Sequence, residues 1–225
     1  TLVVAQTTTY TGTLALAGGT NVVTLVNGAD LGSATLTATG GSIDFTIASG
    51  ASVTMKIADN IFLGAGTATA AGTEQITLSD AGTATGDAAV ETYVMAVGTN
   101  NFTIGAAAQN VTGSTGIDNI YVTGLTATGT YALSSGANTI VATTGADIKG
   151  VNSGSATTAQ TFNLTGAATT TVAQHNAFTT FTAGGGSDQI TLSDVGTVTA
   201  AAAVETYVLA NGTNSITLST TAGQN

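Results

Sequence analysis

The chain contains no cysteine, no proline and no tryptophan, and its 12 acidic side chains face only 2 basic ones, Lys56 and Lys149. Each absence removes a class of protein. Without cysteine there is neither a disulfide framework nor a thiolate metal centre, and the single histidine, His175, is too few nitrogen ligands for a transition-metal site. A formal net charge of −10 offers no basic patch to neutralise phosphates, which excludes nucleic-acid binding and points toward cations instead. No run approaches the ~18 uninterrupted apolar residues of a membrane-spanning helix, because Gly, Thr, Asn or an acid breaks each one. Catalytic signatures are missing as well: there is no G-x-S-x-G elbow, no phosphate loop and no H-E-x-x-H pair. A carboxylate pair such as Asp80 with Asp194, or Glu91 with Glu205, is the remaining enzymatic option. The members of each pair are one position repeated in both halves, and recurrence suits structural duty, since an enzyme needs one site whereas a repeat needs every unit alike. His175, in "VAQHNAF", falls opposite about Ala58 of the first half and reads as a lone exposed histidine. The expectation is that the protein is not an enzyme.

What the sequence does contain is repetition. "GTEQITLSDAGTATGDAAVETYVMAVGTNNFTI" from Gly72 to Ile104 aligns with "GSDQITLSDVGTVTAAAAVETYVLANGTNSITL" from Gly186 to Leu218, with roughly two-thirds of positions identical. Upstream, Thr11 to Leu31 aligns with Thr128 to Ile148. The chain is two tandem copies of a unit of about 115 residues, residues 1–112 and 113–225, which read as one continuous elongated body. The copies also meet at their ends: "GQN" at 223–225 matches "AQN" at 108–110, and Thr1 corresponds to about Asp118.

A finer rhythm runs inside each copy: "GTNVVTL", "GSIDFTI", "GTEQITL", "GTNNFTI", "GIDNIYV", "GANTIVA", "GSDQITL" and "GTNSITL". Each starts with Gly, most carry Asn or an acid at the third position, and all end in β-branched or aromatic residues with period two. That is turn followed by strand. The spacing of roughly 18 to 30 residues is that of solenoid coils. We therefore expect an all-β, parallel β-helix or β-roll-like solenoid of about nine coils, roughly 45 Å long at ~4.8 Å per coil. Its narrow core would hold Ile, Val, Leu and Ala and leave no room for large aromatics. "DAAVETYVMA" and "AAAAVETYVLA" could form a helical turn, but "VETYVLANGTNSITL" reads better as two strands around an Asn-Gly turn. Alternate Thr in "TLTATGG" and "FTTFTAG" fits outward strand positions. The alternative fold is a pair of tandem β-sandwich domains, opposed by the lack of Trp and Pro.

"AGGGSDQIT" from Ala183 to Thr191 resembles the glycine- and aspartate-rich nonapeptide of RTX proteins, G-G-x-G-x-D-x-U-x, with Ala183 in place of the first Gly. "GSTGIDNIY" from Gly113 to Tyr121 is similar, with Ser114 replacing the second Gly. The resemblance implies calcium bound between coils, with Asp118 and Asp188 as ligands; a hard cation taking carboxylate oxygens agrees with the acidic balance. The residues themselves leave another duty open, since Asp and Asn also hold turns through side chain to backbone hydrogen bonds.

The texture of "AAVETYVLANGTNSITLS" is similar to the strand-rich repeats of bacterial surface-layer proteins and large secreted RTX-type adhesins. That implies an extracellular, structural protein at a bacterial cell surface. Neither end carries a cap, so copies are expected to stack head to tail by strand addition into a filament, sheath or layer. The edges concerned are Leu2, Val3, Val4 and Ala5 at one end and Ser215, Ile216, Thr217 and Leu218 at the other. The partner is then the chain itself, with cell-surface polysaccharide as a second candidate. A stalk module of a calcium-binding adhesin is the alternative, and an ice-binding solenoid a more distant one. Asn101, Asn110, Asn163 and Asn211 lie in N-x-S/T sequons.

Overall fold

Short β-branched runs separated by Gly turns cannot bury themselves singly, so they stack. In the computed structural model, which describes residues 2–4, 9–63, 73–150 and 160–219, the chain winds into a β-solenoid of about nine turns. Every described strand pair is parallel. Parallel pairing of successive coils replaces the antiparallel sheets that the sandwich alternative would need.

Three faces result. The first carries β1 (Leu2–Val4), β3 (Gly19–Leu25) and β5 (Gly41–Ile47), and later β15 (Ala146–Asp147), β17 (Ala167–Thr170), β19 (Gln189–Leu192) and β21 (Thr206–Val208). The second carries a seven-stranded sheet of β2 (Thr9–Leu16), β4 (Asp30–Ala38), β6 (Ser52–Met55), β7 (Gln75–Leu78), β9 (Thr92–Val94), β11 (Asn110–Thr112) and β13 (Tyr131–Ala132). A six-stranded sheet of β8 (Thr83–Thr85), β10 (Gly98–Thr103), β12 (Gly116–Val122), β14 (Thr139–Thr143), β16 (Thr161–Thr165) and β18 (Thr180–Ala183) forms the third. The chain visits the faces in fixed order, as β11, β12 and the bridge at Thr126 show, followed by β13, β14 and β15. After β18 and β19 that order returns β20 (Thr197–Thr199), and with it β22 (Ser215–Thr217), to the second face.

The two copies use these faces out of step. β7 and β9 lie on the second face, but their counterparts β19 and β21 lie on the first; β8 and β10 lie on the third and their counterparts β20 and β22 on the second. The repeat therefore does not span a whole number of turns. Nor is there a break at 112/113, where β10 of the first copy pairs with β12 of the second over six residues.

Two short helices were not expected: α1 (Ile57–Asn60) and α2 (Val172–Ala177), which replace a strand in their turns. "VETYVLANGTNSITL" does form two strands, but they are not a hairpin; β21 pairs with β19 and β22 with β20, so the Asn-Gly turn is a solenoid corner.

Inward positions alternate along each strand and form one apolar column. The expectation that large aromatics would not fit is wrong: Phe45, Tyr93, Phe102, Tyr131 and Phe162 are all fully buried. Several pack on another ring, Tyr93 on Phe102 and Phe162 on Phe178 at 4.8 Å between ring centroids. Phe102 lies between Ala84 and Ile120 of the adjoining coils, and the small Ala84 side chain leaves width for its ring. Phe102→Ala should accordingly cost about 3–5 kcal/mol, read as a lower denaturant midpoint with an unchanged slope.

Candidate functional site

The polar residues that the motifs single out collect at the corners, where the chain leaves one face for the next. A corner interrupts the ladder, and its backbone groups need other partners. The third residue of the G-x-N blocks supplies them. Asn21, Asn100, Asn138 and Asn214 each donate from Nδ2 to the carbonyl four residues earlier, Ala17, Ala96, Ser134 and Ala210, at 2.7–2.8 Å.

Asp118 occupies the same position between two such amides. Its Oδ1 accepts from Asn100 Nδ2 at 2.8 Å, its Oδ2 from the Ser114 N–H at 3.1 Å, and its own N–H donates to Asn138 Oδ1 at 2.9 Å. All three side chains are buried. Burial pushes the Asp118 carboxyl above its ordinary range, against the pull of the bonds from Asn100 and Ser114.

Glu74 and Asp188, third in "GTE" and "GSD", reach instead to the coil below. Glu74 Oε1 accepts from the Gly50 N–H at 3.0 Å, and Asp188 Oδ1 from the Gly166 N–H at 2.6 Å. The coil above closes each corner: Glu91 accepts from the Glu74 N–H and Glu205 from the Asp188 N–H, at 2.8 and 2.9 Å. Burial and the hydrogen bond to Glu74 push the Glu91 carboxyl up. Asp80 and Asp194 cap the helices of the preceding turn, accepting from the Ile57 N–H at 2.8 Å and the Val172 N–H at 2.7 Å.

These placements bear on calcium. Asp118 lies in β12 on the third face and Asp188 just before β19 on the first, and no group of three or more His, Cys, Asp or Glu is arranged for a metal among the described residues. Both oxygens of Asp118 are taken by protein donors, which does not fit a ligand. Asp188 differs, in that its Oδ2 is buried without a hydrogen-bond partner. Of the Thr runs, "TLTATGG" lies in and just after β4 and "FTTFTAG" in and around β18, so the two belong to different faces.

His175 is buried, not exposed. Its structural counterpart is Asn60 rather than Ala58: Tyr93 donates its hydroxyl to Asn60 Oδ1 at 3.0 Å, and the matching Tyr207 hydroxyl lies 3.1 Å from His175 Nε2. Each tyrosine oxygen also accepts a backbone N–H, from Asp87 and Ala201 at 2.9 and 2.8 Å. A Tyr207 hydroxyl donating to Nε2, as Tyr93 donates to Asn60, would leave the His175 proton on Nδ1, 3.4 Å from Asn176 Oδ1. The ring lies 4.6 Å from Phe181, and burial pushes its pKa below the ordinary imidazole value.

The assembly-end residues Leu2, Val3 and Val4 lie in β1, and Ser215, Ile216 and Thr217 in β22 with Leu218 after it; Ala5 lies outside the described residues. Comparison with protein-family models, curated proteins and solved structures finds no match.

Two measurements follow from this geometry. Asp118→Asn puts an amide against two donors and should cost about 1–3 kcal/mol, equally in calcium and in chelator; a loss seen only with calcium would make Asp118 a ligand. The lowered His175 pKa means that the unfolded chain takes up the proton first. Its contribution, present above about pH 6.5, is lost as pH falls through the folded-state value. His175→Asn, which restores the residue of the first copy, should flatten the stability difference between pH 7 and pH 5 in urea titrations.

Proposed function

We propose that the protein is a structural, non-enzymatic subunit that polymerises head to tail at a bacterial cell surface, each copy adding its first strand to the last coil of a neighbour. One observation carries this. Leu218 is 55 % exposed although its counterpart Ile104 is 3 % exposed, and Leu209 is 39 % exposed although its counterpart Met95 is 4 % exposed. In the first copy the next coil covers these inward positions; in the second they stand bare on the end of the stack. Burying them again takes another coil of the same kind, which a second copy supplies.

The assignments of the acidic residues support the non-enzymatic side. Asp80, Asp194, Glu91 and Glu205 each hold a backbone N–H; they are two positions, and each position does this once in each copy. Calcium has a place in this reading at Asp188, where the free Oδ2 and the neighbouring Glu205 would hold it and stiffen the corner. A continuation of the same chain would cover Leu209 and Leu218 equally well, and that is the stalk reading.

Electron microscopy separates the two. Purified chain should form filaments or sheets, and Leu218→Asp should abolish them while leaving the thermal transition within a few degrees. Single particles under every condition, with or without calcium, would contradict polymerisation and favour the stalk.

A further inference from the structure

The boundary between the two copies already contains one unit stacked on another. There β10 pairs with β12, Phe102 beside Ile120 and Thr103 beside Tyr121. The counterpart of β10 is β22, with Ile216 matching Phe102 and Leu218 matching Ile104. The counterpart of β12 is β1. Leu2 pairs with Val23, Val23 matches Ile140, and Ile140 pairs with Ile120, so Leu2 matches Ile120 and Val4 matches Val122. Val4 and Val122 are both fully buried, which agrees.

This corrects the alignment that sets Thr1 on Asp118 by one residue, because the turn from β1 to β3 is one residue longer than that from β12 to β14. One residue is decisive in a strand, since it exchanges the inward and outward sets.

The geometry points to a single register between copies, an inference that rests on the polymer reading above: Ile216 of one copy beside Leu2 of the next, Thr217 beside Val3, and Leu218 beside Val4. Ile216, Leu218, Leu2 and Val4 then all point inward and continue the apolar column. Thr217 and Val3, the latter 56 % exposed, both point out. The faces set the orientation. β22 lies on the second face and β1 on the first, so each copy is turned by one face relative to the copy below. Every third copy returns to the same orientation.

The absence of native cysteine makes the register directly testable. Neighbouring parallel strands lie about 4.8 Å apart, within the range that a disulfide spans. The double variant Val3→Cys with Thr217→Cys, oxidised after assembly, should give a ladder of covalent oligomers on a non-reducing gel. Val3→Cys with Ser215→Cys, shifted by two residues, should not. Thr103→Cys with Tyr121→Cys reports whether this geometry cross-links at all, by closing a bond within one chain. If light scattering shows that the unmodified chain does not assemble, the polymer reading fails and the register with it. If the chain assembles and the intrachain control closes, but the ladder comes from the Ser215 variant or from neither, the register is overturned while polymerisation stands. A helical reconstruction in which every third subunit does not superpose by translation overturns the rotation.

Discussion

Parallel coils can pair their backbones along each face, but at every corner the chain turns out of the ladder and leaves N–H and C=O groups facing the interior. Those groups cost free energy unless they are bonded, typically about 1–3 kcal/mol each. Here the third residue of a short glycine block takes on that duty. Asn does it by donating to the carbonyl four residues back, and Asp or Glu by accepting an N–H from its own turn or the coil below. The acidic character of the chain follows from this: a carboxylate is the side chain of choice where the unpaired corner group is a donor.

The same constraint explains why one motif position holds Asn in some coils and acid in others. Asn100 and Asn138 flank Asp118 in a buried column, and in that column only an acceptor can meet both the Asn100 amide and the Ser114 N–H. Core width is governed separately. Aromatic rings are tolerated where they pack on one another or beside a small side chain, as Phe102 does on Tyr93 and beside Ala84, so the column stays filled although the residues in it differ widely in size.

Much of this was legible in the sequence. The Gly-started blocks gave the strands, their period gave the solenoid, and alternate Thr at positions 35, 37, 180 and 182 gave the outward set. The helices α1 and α2 leave no periodic signature, because four to six residues are too few for a helical period to show. One signal was available: Thr171 and Gln174 form a capping box, with Thr171 Oγ1 accepting from the Gln174 N–H. Pairing His175 with Ala58 fails for a related reason. The offset between copies changes across the insertions, so its equivalence to Asn60 becomes visible only through the tyrosine that both residues bond. The shift of faces between copies has no trace in the sequence, since it depends on which coil each strand stacks against.

In the proposed polymer, Leu2–Val4 and Ser215–Leu218 are the two halves of one coil-to-coil contact between copies. Amide hydrogen exchange measured across a concentration series tests it most directly. The account predicts that these two segments are weakly protected in dilute protein and gain protection together as concentration rises, while Phe102 and Ile104 stay protected throughout. Exchange at both ends that is independent of concentration, under conditions where the chain is fully folded, would contradict it.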